Sequence, residues 1–151
     1  MALLLVGCSA ADAQPVASSG LTPPAGWQAL PAAATAARMA AGAAGVTVDG
    51  AEAWGEPAMG CYALWIALHG SGANADQLTR EILDGLAAEK ITATLEPGEG
   101  ALAIAIEKAP YKGTVRAQLG SGTITALACV ASDREPAACE ATCKTMLGAM
   151  P

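Results

Sequence analysis

The chain reads as a single α+β domain, an antiparallel sheet of about six to seven strands with helices packed on it. Three observations predict this. Helix-like and strand-like segments follow one another in the order αβββαββββα. The four consecutive strand segments of the second half are joined by short links that carry Gly or Pro, as hairpins require. Finally, 151 residues, 53% of them hydrophobic and 15% charged, supply one core rather than two and exclude general disorder.

Each element has a local reason. Pro31–Ala44 is Ala-rich, with Pro in its first turn and Gly45 just past its end, the usual punctuation of a helix. Val46–Val48 reads as a short strand, Asp49-Gly50 as a hairpin turn, and Ala51–Gly55 as the returning strand. After a second turn at Glu56–Gly60, Cys61–His69 is a long strand. Asn74–Glu89 is the clearest helix: Leu78, Ile82, Leu83 and Leu86 share a face, and Asn74 with Gln77 resembles a capping box. Strands are then predicted over Ile91–Leu95, Ala101–Glu107, Gly113–Leu119 and Gly122–Ala131, and a last helix over Pro136–Gly148.

Alternation along the strands predicts which are covered. Tyr62, Leu64, Ile66 and Leu68 oppose Cys61, Ala63, Trp65 and Ala67, and Leu102, Ile104 and Ile106 oppose Ala101, Ala103 and Ala105. Both faces of these two strands are apolar, so both are expected to be central. Thr114, Arg116 and Gln118 alternate with Val115, Ala117 and Leu119, which gives that strand one wet face. With no Phe and abundant Ala, the core is expected to rest on small side chains and a few large anchors. Trp27, Trp54 and Trp65 read as core or packing residues; of the three, Trp54, beside the Gly55-Glu56-Pro57 turn, is the one most open to exposure and the candidate partner-binding anchor.

Charge and cysteine usage bound the function. Eight basic against fourteen acidic residues leave a net charge of −6, which argues against nucleic acid and against attachment to anionic lipid. Cys139 and Cys143 are four apart on the last helix and share a face, while Cys61 and Cys129 lie on strands. Two helix-to-sheet disulfides are therefore expected. Cys129 and Cys143 sit at similar depths of about 10 Å from their elements' facing ends, which favours Cys129–Cys143 with Cys61–Cys139 and leaves the swapped pairing open. A metal site is not expected, since the chain has one His and no C-x-x-C. No phosphate-binding loop or haem-attachment signature is present, so no cofactor is expected.

Leu5-Val6-Gly7-Cys8 resembles the lipobox of bacterial lipoproteins. That resemblance implies removal of Met1–Gly7 as the remnant of a signal peptide and acylation of Cys8. The fold would then be held at a membrane by a lipid anchor, with Ser9 resembling an outer-membrane sorting signal and the domain on the periplasmic side. The basic residues that open such signals are missing, since Arg38 is the first Lys or Arg, and a start codon further upstream or a trimmed chain is expected. Residues 8–26, rich in Ala, Ser, Pro and Gly, are expected to form a flexible tether, and residues 27–150 the disulfide-stabilised domain. The element order is also loosely similar to the Mog1/PsbP-like sandwiches found in bacterial lipoprotein domains.

A second resemblance competes. His69-Gly70-Ser71-Gly72 is similar to the oxyanion-hole segment of α/β-hydrolases of the carboxylesterase kind. No G-x-S-x-G elbow accompanies it, Gly120-Ser121-Gly122 has the wrong spacing, and His69 is the only His. The expectation is a non-catalytic, membrane-anchored periplasmic lipoprotein that binds or scaffolds a protein or envelope component. The alternatives are a small hydrolase using the His69 turn, or a carrier of a small ligand or lipid.

Overall fold

The computed structural model describes residues 17–69, 75–96, 102–120 and 122–150. The elements are β1 (Gln28–Ala29), α1 (Pro31–Ala43), β2 (Val48–Glu56), β3 (Cys61–His69), α2 (Ala75–Ala88), β4 (Thr92–Glu96), β5 (Leu102–Lys108), β6 (Tyr111–Leu119), β7 (Thr123–Ser132) and α3 (Pro136–Ala149). All seven strands join one antiparallel sheet in the order β1-β2-β3-β7-β6-β5-β4, the α+β architecture that the sequence predicts. The strands β4 to β7 form a meander whose last strand returns to pair with β3. Helix α2 carries the chain across from β3 to the far edge of the sheet.

One predicted turn is not a turn. Asp49-Gly50 was expected to join two short strands, but β2 runs without interruption from Val48 to Glu56 along β3. The register shifts between Val48, opposite Leu68, and Gly50, opposite Ala67, so Asp49 is the extra residue of a β-bulge. Residues that favour tight turns also suit bulges, and nothing local separates the two. The eight apolar residues of β3 from Cys61 to Leu68 settle it by pairing along the whole stretch. In place of the second short strand, the sheet gains the two-residue β1 on its outer edge.

The expectation for β5 is also corrected. Strand β3 lies inside the sheet between β2 and β7, but β5 is next to the edge. Ile104 is completely buried, whereas Ala103 and Ala105 on the other side are only half-buried. Alanine is apolar without demanding burial, so an alanine face does not mark a central strand.

Two cores lie on opposite faces. On one, Trp54, Ala63, Trp65, Ala67, Leu127 and Cys129 of the sheet meet Cys143, Met146 and Met150. Cys139, Cys143, Met146 and Met150 recur every three or four residues, the spacing of one helix face, and all four are buried. On the other face, Ala34 of α1 packs on Ala51 and Ala53, with Leu30, Val48, Leu64 and Ile66 around them. Ile104, Val115 and Ala117 are buried further along the same face. The apolar side of α2, with Leu78 buried and Ile82, Leu83 and Leu86 half-buried, matches that surface, because the opposite sheet face carries Thr114, Arg116 and Gln118 there.

Helix α3 is fastened by Cys61–Cys139 and Cys129–Cys143, each with Cα atoms 5.5 Å apart. This is the pairing that depth favours. The guanidinium of Arg116, reaching from β6, donates to the Leu147 carbonyl at 2.9 Å and satisfies one acceptor of the last helical turn. At the start of the helix, buried Ser132 ties the β2–β3 turn down: its amide donates to Gly60 O at 2.9 Å. Gly60 itself has φ +71°, and a Cβ there would strike the Ser132 hydroxyl.

The bridges close segments of 78 and 14 residues, which by chain entropy corresponds to about 4.5 and about 3 kcal/mol. Replacing Cys61 and Cys139 together by Ala is expected to lower unfolding free energy by about 2–4 kcal/mol, with the Cys129/Cys143 double replacement costing somewhat less. Urea denaturation under oxidising conditions measures both, and an equal or reversed ranking would contradict the loop-closure account.

Candidate functional site

The most built feature outside the cores is a strap. Residues 17–26, expected as the second half of a flexible tether, lie on the sheet over β2. The Ala17 amide donates to the Asp49 carbonyl at 2.9 Å, the acceptor that the bulge leaves free of the ladder. Ser18 Oγ donates to Glu52 Oε1 at 3.1 Å, and the Ser19 amide donates to the same oxygen at 3.3 Å. Ser19 Oγ also donates to Glu52 Oε2. Ala17, Leu21 and Trp27 then pack against the core that contains Trp54 and Trp65. The strap runs lengthwise, from Asp49 at one end of β2 to Gly26 beside the Glu56 carboxylate at the other.

Gly50 makes the crossing possible. It is buried, and a Cβ there would fall on the Ala17 carbonyl oxygen and press on the Trp65 ring. Asp49-Gly50 thus has two uses, the bulge and the passage of the strap. Sequence reasoning did not find this site. Its contacts join residues more than thirty positions apart, and Ser18-Ser19 is an unremarkable pair in a linker-like composition.

An open groove of about 340 Å³ runs between the strap and α3, lined by Leu21, Pro24, Met146 and Ala149 together with Thr22, Ala141, Thr142 and Thr145. The hydroxyls of Thr142 and Thr145 donate to the carbonyls of Ala138 and Ala141, one turn back in the helix. No side chain in the lining is charged or can act as an acid or base. The groove offers apolar contact and shape, not chemistry.

The predicted site residues separate clearly. Cys61, Cys129, Cys139 and Cys143 are the bridging cysteines and are buried. Trp54 is a packing residue, as the sequence suggests for all three tryptophans, and not the exposed anchor that the neighbouring turn allowed. It is 7% accessible because it points to the α3 face, where it belongs to the core against which Trp27 packs, and its backbone pairs with Ala29 of β1. The nearby turn gave a misleading cue, since it begins only after the strand's last residue, Glu56. Cys8 lies outside the described residues, as do Gly70, Ser71, Gly72, Asn74 and Ser121.

His69 ends β3 and is exposed. Its Nδ1 lies 3.7 Å from Asp49 Oδ2, and the two side chains are 64% and 32% accessible. A His beside an Asp is half of a hydrolytic arrangement, but this pair is long and open to water. Its backbone, not its ring, is fixed, through the amide donating to Thr47 O at 2.9 Å. Among the described residues, no group of three His, Cys, Asp or Glu side chains stands close enough to hold a metal. Comparison with protein-family models found no match, and comparisons with curated proteins and with solved structures found none either.

Gly50→Ala is expected to lift the strap, because its Cβ and the Ala17 carbonyl cannot share one place. Limited proteolysis should then cut residues 17–26 readily while residues 27–150 persist. Glu52→Ala should act in the same direction and cost about 1–3 kcal/mol, as expected for removing a carboxylate that accepts several hydrogen bonds. If both variants resist cleavage as the parent does, the strap is not held by these contacts.

Proposed function

We propose that the protein is a non-catalytic lipoprotein of the bacterial envelope, anchored through acylated Cys8 on the periplasmic side of the outer membrane, with a binding or scaffolding role. The observation that carries this reading is the cysteine count. Two disulfides take four of the five cysteines, and the fifth, Cys8, follows the lipobox-like Leu5-Val6-Gly7. Structural disulfides belong to oxidising compartments, so the same bridges support export. A thiol outside the disulfide set needs its own explanation, and acylation supplies one. Two or three acyl chains, each contributing about 0.8 kcal/mol per buried CH₂, give stable anchoring.

The binding role draws support from what the surface offers. The groove beside α3 is uncharged, and its two helix hydroxyls, of Thr142 and Thr145, are occupied within the helix. The loose His69–Asp49 pair favours the hydrolase reading only weakly, because a general base needs orientation by a well-placed partner, and here the partner is 3.7 Å away and the imidazole is mostly exposed.

Two experiments test the proposal. Cys8→Ser, expressed in a bacterial host with its export signal intact, should move the protein from the membrane to the soluble periplasmic fraction; unchanged membrane retention would refute the anchor. For catalysis, His69→Ala and Ser121→Ala should leave the turnover of a p-nitrophenyl ester at the background of the unreplaced protein. A loss of turnover specific to either variant would restore the enzyme.

A further inference from the structure

The two ends of the sheet differ in character. One end carries the bulge at Asp49, the end of β3 at His69 and the β6–β7 turn after Leu119. The other carries the β2–β3 turn, the β5–β6 turn and the step from β7 into α3. Of the eight Lys and Arg residues, Lys90, Lys108, Lys112 and Arg134 stand at this second end. Arg38 and Arg116 are bound to the carbonyls of Ala51 and Leu147, and Arg80 and Lys144 lie within α2 and α3. Among the described residues, none is on a strand end or adjoining turn at the His69 end.

Exposed apolar side chains among the described residues gather toward that end instead. Val46, just before β2, and Leu119, the last residue of β6, are 36% and 40% accessible. Met39, in the last turn and a half of α1 leading toward Val46, is 70% accessible. They are three of the four exposed large hydrophobic residues among those described; the fourth, Leu95, is on edge strand β4. Among the described residues, the acidic groups toward this end are Asp49, Asp76 at the start of α2 and Glu96 at the end of β4; they would repel anionic lipid and leave a neutral surface as the compatible one.

The strap adds direction. Because it runs from the His69 end toward the Cys61 end, the chain preceding Ala17 departs from the His69 end. Only nine residue steps separate Ala17 from Cys8, a reach of at most about 32 Å. The nine-residue strands are themselves about 30 Å long. With the Cys61 end facing the bilayer, those nine steps would have to be drawn out almost fully; with the His69 end facing it, they need not be.

We propose that the His69 end of the sheet, through Val46, Leu119 and Met39, docks on a neutral phospholipid surface. The proposal rests on the anchored-lipoprotein reading for its geometry, and its test supplies the anchor chemically so that the two can fail separately. Cys8 is the one cysteine outside the two disulfides, so the full-length oxidised protein can be coupled through it to a maleimide lipid in phosphatidylcholine vesicles. The vesicles carry a small fraction of diazirine-bearing phosphatidylcholine, and adducts are mapped by peptide mass after illumination.

Adducts on peptides covering residues 45–48 and 117–120 should exceed those on residues 57–60 and 109–112 by about tenfold, a difference of about 1.4 kcal/mol in contact preference. Val46→Asp with Leu119→Asp should abolish that excess while far-UV circular dichroism stays unchanged. Equal labelling of the two ends of the unsubstituted protein, or an excess at the second end, would overturn the proposal, as would an excess that survives in a folded double variant. None of these outcomes depends on whether a host acylates Cys8, which the mass of the native protein decides.

Discussion

The structure depends on the fastening of α3 to one face of the sheet. An Ala-rich chain without Phe has few large side chains with which to hold a helix by packing alone. Here the helix presents Cys139, Cys143, Met146 and Met150 along one side, and two of those four positions are covalently joined to adjacent strands. Cys61 and Cys129 are near neighbours across the β3–β7 ladder, where Ala63 faces Cys129 and Cys61 faces Ala131. Two helix positions one turn apart therefore meet two strand positions that are diagonal neighbours on one face of the ladder. Trp54, Trp65 and Leu127 fill the space beside the bridges, and small residues such as Ala63 and Ala67 let the layers approach closely.

The strap follows from the same face. With α3 covering the middle of the sheet, the outer strand β2 would leave the Trp54 side exposed. Residues 17–26 close that gap, aided by a bulge that frees one carbonyl, a glycine that leaves room, and a carboxylate that gathers the Ser18 and Ser19 donors. The N-terminal segment is thereby part of the fold from Ala17 onward. Its course links the domain's architecture to the direction in which the chain leaves toward Cys8.

Much of the fold was legible because it is written in local pattern. The amphipathic period of α2, the Pro at the start of α1 and α3, and the Gly- and Pro-bearing links of the β4–β7 meander each name their element within a few residues. That two bridges join α3 to the sheet was legible from helix periodicity, whereas depth favoured the observed partners and left the swapped pairing open. What escaped was set by distant contacts. Asp49-Gly50 has the chemistry of a turn, and only pairing with β3 makes it a bulge. Trp54 borders a turn, and only the strand's face, with the packing of Trp27, buries it. Nothing near Ser18 or Ser19 points to Glu52. The groove beside α3 was equally hidden, since it forms between segments more than a hundred residues apart and carries no reactive side chain to mark it.

The central claim is that four cysteines staple the fold and the fifth holds the lipid. The most direct measurement is the intact mass of the full-length protein isolated from its host, taken before and after reduction with thiol alkylation. The account predicts an acyl mass localised to Cys8 and four thiols that appear only on reduction. An unmodified, alkylatable Cys8 before reduction would contradict the anchor, and free thiols at Cys61, Cys129, Cys139 or Cys143 before reduction would contradict the staples on which the fold is argued to depend.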